Sequence, residues 1–277
     1  MLKTEFENIG LPLTDAQAAE FEIFYDLLIT ENRKYNLTAI TEQSDVVKKH
    51  FIDSVILLKE VELKQDAAVI DIGCGAGFPS VPIKILREDL NLTLVDSVNK
   101  KVNFVNIVIE SLGLKNVRAI HARAEDLTKS SLQNGTQIYG KRITDHMCNT
   151  NSSEKNNNDI KNISGTENVA ALANVTASKR TLRESFDYVL SRAVAPLNVL
   201  AEWGLPFLKT GGLMIAYKSV KAQEEIMQAE KVIKLLGGEI ERVITKNIYD
   251  SERKFVVIKK VFPTPAAYPR KGNKIKK

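Results

Sequence analysis

The chain has 277 residues, 44% hydrophobic and 26% charged, with a formal net charge of +5; that suits a folded protein with one large core and excludes global disorder. No stretch approaches the ~18 consecutive apolar residues of a membrane span and the first helical segment is too acidic for a secretory leader, so no membrane partner and a cytoplasmic location are expected. Two cysteines, Cys74 and Cys148, and three scattered histidines supply neither a disulfide framework nor zinc-like spacing, so no metal is expected.

Along the chain, Thr14 with Gln17 forms a capping box, and Phe21, Phe24, Tyr25 and Leu28 recur at helical spacing behind it. A second helical stretch follows Ser44 and runs through Val46 and Val47 to Leu57 and Leu58. Residues 1–65 therefore read as a helical extension. From Ala67 the pattern changes to short apolar runs ending in glycine or aspartate, as buried parallel strands do: Ala67–Ile72, Leu92–Asp96, Val117–Ile120, Phe186–Leu190, Leu213–Tyr217 and Phe255–Ile258. Amphipathic helices fall between them, one marked by Val102, Val105, Ile109 and Leu112, another by Ile226, Ala229, Ile233 and Leu236. Alternating strands and helices predict an α/β, Rossmann-like, doubly wound and mostly parallel sheet over residues 66–262.

Residues 128–184 interrupt that rhythm. They are asparagine-rich, with Tyr139 the only aromatic residue, and too polar to offset their ordering entropy, so a disordered insertion is expected, with a short helix around Val169–Ala173 at most. The last segment, 263–277, carries Arg270, Lys271, Lys274, Lys276 and Lys277 and no acid. It reads as a mobile, phosphate-seeking basic tail or as a solvated terminus.

The strongest motif is Asp71-Ile72-Gly73-Cys74-Gly75-Ala76-Gly77-Phe78-Pro79, directly after the first strand. Glycine at every second position lets a ligand lie against bare main chain. A dinucleotide fingerprint would carry a further glycine where Phe78 stands, so a cofactor without pyrophosphate fits better, its ammonium reaching Asp71 directly or through water. Asp96 ends the second strand about 20 residues on, where a carboxylate accepts from ribose hydroxyls. Ala124 and Glu125, after the third strand, sit where an adenine edge would meet an amide and a polar side chain. Together these favour S-adenosylmethionine over a nicotinamide nucleotide.

The fourth long strand ends Ser191-Arg192-Ala193, without the Pro-Pro-aromatic signature of amine methylation. Cys74 lies in the loop and Cys148 in the insertion, so neither is an attacking thiol. An acceptor such as guanine N7, with a lone pair already free, needs no general base; alignment alone can contribute ~7–11 kcal/mol, and no catalytic residue is assigned. Arg192 could donate to a guanine edge, a phosphate or the cofactor carboxylate.

Tyr35-Asn36-Leu37-Thr38, His50-Phe51-Ile52-Asp53-Ser54, the 71–79 loop, Leu94-Val95-Asp96-Ser97, Arg123-Ala124-Glu125 and Ser191-Arg192-Ala193 occur in the order found in one bacterial family. The chain resembles the small-subunit ribosomal RNA methyltransferase G family, also called glucose-inhibited division protein B. The resemblance spans Leu11 to Tyr268 apart from the insertion. It implies a class I methyltransferase moving a methyl from S-adenosylmethionine to N7 of one guanine in 16S rRNA, as naked RNA or small subunit; separately, a monomer is expected. It also implies that Gly73, Phe78, Ala124, Glu125 and Arg192 contact the cofactor; Asp96 joins them on the ribose argument. Asn36, Lys49, His50 and Asp53 lie in resembling motifs, either to bind RNA or to pack against the loop. A nicotinamide oxidoreductase and a non-catalytic RNA-binding module are the competing readings.

Overall fold

The amino-terminal helices form because their caps and apolar stripes agree. The Thr14 side chain accepts from the Gln17 amide while the Gln17 side chain accepts from the Thr14 amide, so α2 (Asp15–Tyr35), which follows the short α1 (Leu2–Asn8), starts on the expected box. It stops at Asn36, whose φ of 50° lies in the left-handed region that asparagine tolerates. Next comes one winding helical run: α3 (Gln43–Val46), a π-helical turn (Val47–Ile52), α4 (Asp53–Val55) and a 3-10 turn (Ile56–Lys59). In this computed structural model, residues 1–128, 138–139, 181–219, 222–249 and 251–271 are described.

The strands and helices then alternate: β1 (Ala68–Ile72), α5 (Ser80–Leu86), β2 (Asn91–Asp96), α6 (Asn99–Ser111), β3 (Val117–His121) and α7 (Ala124–Leu127). After β4 (Ile138–Tyr139) follow β5 (Phe186–Arg192), α8 (Leu197–Gly204), a 3-10 turn (Leu205–Phe207), β6 (Leu208–Lys218), α9 (Ala222–Leu235), β7 (Gly238–Ile248) and β8 (Ser251–Lys260). The sheet order is β4-β3-β2-β1-β5-β6-β8-β7, parallel from β3 to β6 and antiparallel at both margins. The doubly wound sheet is thus the one expected. Every residue of β1 is buried, as a strand covered on both faces requires.

The chain winds outward from β1 to β3 and returns to the other side of β1 with β5. Loops after β1 and β5 therefore diverge at the carboxyl ends of neighbouring strands, where this topology opens a crevice. One core lies beneath the amino-terminal helices, α5 and α6, built around Phe21, Phe24, Phe51, Phe78 and Phe104. The other lies under α8 and α9, around Leu197, Phe207, Ala229 and Val256. Residues 1–65 thus share a core with the sheet.

Two expectations meet the structure differently. Within the stretch read as a disordered insertion, Ile138–Tyr139 pairs antiparallel with β3; the proposed helix at 169–173 and most of 128–184 lie outside the described residues. The beginning of the basic tail is docked. Arg270 pairs with Glu202, which is fully buried in α8, at 2.6 Å, and Arg183 donates to the carbonyls of Thr264, Pro265 and Tyr268. Arg270 is therefore committed to an ion pair and is no part of a free phosphate-seeking arm; residues 272–277 lie outside the described residues.

Candidate active site

The glycine loop is shaped by the strands on either side of it. Gly73 and Cys74 donate their amides to the Val95 carbonyl, which bends the chain across the end of β2. Gly73 has φ +74°, and a Cβ there would lie 2.5 Å from Val194 Cγ2, so glycine alone lets the loops after β1 and β5 touch. Asp96 locks the loop from the far side: its Oδ2 accepts from the Gly75 amide at 3.0 Å and its Oδ1 from the Val98 amide at 2.9 Å. Each of those oxygens keeps a second lone pair for a ligand hydroxyl.

These loops enclose a cavity of about 440 Å³, within the range of small-molecule sites. Gly73, Asp96, Ala124 and Glu125 all line it, so four of the six residues expected to touch the cofactor converge there. Glu125 is buried, and among the described residues its carboxylate makes no hydrogen bond. Trp203, from α8, and Val98 and Lys101 also line the cavity, and the sequence reading missed all three. Their signal was weak because a tryptophan on an apolar helix reads as core.

Phe78 and Arg192 fall elsewhere. Phe78 is buried among Phe24, Phe51 and His50, and the Arg192 guanidinium lies over its ring, 5.0 Å from the centroid. Arg192 Nη1 donates to Asp53 Oδ2 at 2.9 Å, and its Nη2 to His50 Nδ1 at 3.2 Å. Because an arginine only donates, His50 Nδ1 must be the acceptor, which leaves Nε2–H to donate to Thr38 Oγ1, 2.8 Å away. Burial, and then the Arg192 charge, push the His50 pKa down to about 4, so the ring is neutral at ordinary pH. Asn32 Oδ1 in turn accepts from the amides of Leu37 and Thr38, which explains why the Tyr35–Thr38 stretch matters: it aims Thr38 at His50. Asn36 closes α2, and Lys49 pairs with Asp45 at 3.0 Å.

Arg192, Lys49, His50 and Asp53 line a second cavity of about 530 Å³, which shares the Ala193 and Val194 wall with the first. Arg253, 200 positions from Asp53 along the chain, closes it by donating to Asp53 Oδ1 at 2.5 Å. Nothing in the sequence signals that meeting.

Behind the loop, Asp71 is buried. Its Oδ2 accepts from Ser80 Oγ at 2.7 Å and its Oδ1 has no partner among the described residues. Burial raises its pKa to about 7, against the lowering pull of Ser80 and Arg192. The Cys74 thiol is buried and pushed well up by that burial, which makes it an inert core atom. Among the described residues, no group of three His, Cys, Asp or Glu side chains could hold a metal ion.

The family model for rRNA small subunit methyltransferase G matches residues 17–138 and 155–256. The chain belongs to this family. It is 40% identical over 273 residues to Ribosomal RNA small subunit methyltransferase G of Clostridium botulinum (strain Eklund 17B / Type B), covering 98% of this chain and 94% of the relative. Against the protein of that name from Desulforamulus reducens it is 41% identical over 273 residues, covering 98% and 93%. Among solved structures it is similar to M. jannaschii TYW2 in complex with AdoMet, at 11% identity, a TM-score of 0.49 and 80% coverage of both chains. As a methyltransferase G family member, the chain brings residues of all but one of the motifs that carried the resemblance to two adjoining cavities, one beneath the glycine loop and one around Arg192; Tyr35–Thr38 lines neither. No described helix is long and apolar enough to cross a membrane.

Proposed function

We propose that the chain methylates N7 of a guanine in 16S rRNA, with S-adenosylmethionine as donor and RNA or small subunit as partner. The observation that carries this reading is the cavity beneath the glycine loop, where Gly73, Asp96, Ala124 and Glu125 converge. Gly73 in the cavity lining and spare lone pairs on Asp96 suit a ligand with a thin backbone and a vicinal diol. When bound, S-adenosylmethionine supplies an electrophilic methyl on a sulfonium sulfur.

Each residue has a distinct duty in this reading. Asp96 accepts from the ribose hydroxyls while it holds the Gly75 amide. Ala124 and Glu125 meet the adenine edge at the start of α7. Asp71, whose Oδ1 has no partner among the described residues, receives the ammonium directly or through water. Phe78 and Arg192 act from behind: Phe78 buttresses Arg192, and Arg192 fixes the wall between the two cavities. No side chain is needed as a base, since N7 offers its lone pair without losing a proton, and alignment supplies the rate. A monomer suffices, because both cavities are built from one chain.

The test has two parts. Calorimetry with S-adenosylhomocysteine should give saturable heat, and a nicotinamide dinucleotide none. Reductive strand scission at 7-methylguanine, on rRNA from cells lacking and then regaining this chain, should show one cleavage that returns with the gene. Dinucleotide binding without S-adenosylhomocysteine binding would overturn the reading, and so would an unchanged scission pattern.

A further inference from the structure

The cavity around Arg192 has four cations in its lining, Lys49, Arg192, Lys218 and Arg253, against two carboxylates, Asp53 and Glu225; Lys49 pairs with Asp45 outside the lining, which leaves a surplus of one. Such a charge surplus suits a phosphorylated ligand, and the shared Ala193–Val194 wall sets that ligand beside the proposed methyl donor. Which groups remain unspent decides how it is read. Both Asp53 oxygens are taken, by Arg192 and Arg253. Glu225 Oε2 accepts from the Leu197 amide and Lys218 Nζ, each at 2.7 Å, whereas Oε1 accepts nothing among the described residues. Arg253 Nη2 likewise donates to nothing among them.

Resting on the guanine-N7 reading, we infer that this second cavity holds the acceptor nucleotide, with Glu225 Oε1 accepting from both guanine N1–H and N2–H and Arg253 Nη2 binding the phosphate. The usual arginine fork on guanine, to O6 and N7, cannot serve here, because a proton on the N7 lone pair would block the attack. Recognition must then use the opposite edge, which is a row of donors and wants a carboxylate. Adenine presents an acceptor at its N1 and is repelled by the same group.

Glu225 also acts in the transfer itself. The N7 lone pair forms the new N–CH3 bond as the C–S bond breaks; that electron pair stays on sulfur, and the positive charge passes from the sulfonium to the purine. No proton leaves. Charge developing on the ring makes N1–H and N2–H stronger donors, so the carboxylate binds the transition state and the cationic product more tightly than the neutral base.

The experiment titrates 7-methylguanosine 5′-monophosphate, GMP, guanosine and AMP into the protein saturated with S-adenosylhomocysteine. The methylated nucleotide should bind at least about tenfold more tightly than AMP, with GMP between them. Glu225→Gln should bring all three nucleotides within about threefold, and Arg253→Gln should erase the preference for GMP over guanosine. AMP binding as well as the methylated nucleotide, or full selectivity kept by Glu225→Gln, would overturn the assignment. If Glu225→Gln fails to fold for want of the Leu197 contact, the wild-type comparison decides alone. Binding of S-adenosylhomocysteine with no nucleotide binding sinks this inference only; no S-adenosylhomocysteine binding sinks the functional reading beneath it.

Discussion

Asp96 shows how one carboxylate can serve structure and ligand together. Its two oxygens hold the amides of Gly75 and Val98, so the loop is tied to β2 before any ligand arrives. Asparagine in that place can accept at one oxygen only and turns an N–H₂ toward the other amide. Asp96→Asn should therefore cost about 1.5–3 kcal/mol of S-adenosylhomocysteine affinity, the worth of a hydrogen bond to a charged group. Calorimetry reads this directly, and undiminished affinity would remove Asp96 from the site.

Asp71 is a second residue whose cost and use are separable. Its folded pKa, about 7, stands above the ordinary aspartate value of 3.8, so its contribution to stability is full below 3.8 and is lost as pH rises through 7. His50 runs the other way: with its pKa lowered from 6.5 to about 4, it stabilises above 6.5, and that is lost as pH falls toward 4. The two slopes oppose each other across the same window, which should leave the wild-type profile shallow. Asp71→Asn removes one of them. The variant should be more stable than wild type at pH 8, by up to about 4 kcal/mol, and its stability should climb between pH 4 and 6.5. Urea unfolding across pH checks both features, and a variant no more stable at pH 8 than wild type would contradict the assigned burial cost. It should also bind S-adenosylhomocysteine more weakly, since the ammonium loses its carboxylate.

Among the elements, α8 is where the carboxyl-terminal segment is fastened to the body. Glu202 is fully buried there, and Arg270 is its partner, with the guanidinium Nε and Nη2 and the main-chain amide all donating to it. Glu202 is fully buried but the Arg270 side chain is 39% exposed, so stranding the carboxylate should cost toward the lower end of the about 3–5 kcal/mol of a wholly buried pair. Arg270→Ala should lower unfolding stability by that order, while Arg270→Ala with Glu202→Gln recovers most of it. A loss below about 1 kcal/mol would mean the pair behaves like an exposed one. Since Trp203 follows Glu202 and lines the first cavity, the single variant should also weaken S-adenosylhomocysteine binding.

How much of this was legible depended on the environment of each segment. The strands β1, β2 and β5 are apolar runs because they are buried, and the sequence displays them. β7 was missed: it lies at the sheet margin, with Glu239, Glu241, Arg242 and Thr245 exposed, and no apolar run distinguishes it from a loop. α8 was missed because its eight residues span barely two turns, too few for a helical period to stand out within an apolar run. The first cavity could be anticipated because its residues sit at fixed offsets from strand ends. The second could not, since Asp53, Arg192, Lys218 and Arg253 meet only through the fold.

For the molecule as a whole, the basic surplus has to be divided between charges that are spent and charges that can reach RNA. Arg270 is neutralised by Glu202, Arg192 and Arg253 share Asp53, and Lys218 faces Glu225. The terminal stretch Gly272–Lys277 adds Lys274, Lys276 and Lys277, and the whole chain carries 39 basic against 34 acidic residues. Ending the chain after Lys271 leaves the Arg270–Glu202 pair in place and removes three charges, from +5 to +2. If all three lysines displace counterions from rRNA phosphates, the slope of log affinity against log salt should become shallower by about 2–3 units. The difference between the two chains should then shrink as salt rises, and S-adenosylhomocysteine binding should be the same in both. Truncation back to Phe262 makes a poor substitute, because it would unpair Glu202 and confuse lost stability with lost RNA contact. Filter binding of small-subunit RNA at four or five salt concentrations separates the possibilities: parallel lines for the two proteins would place RNA attraction on the folded body.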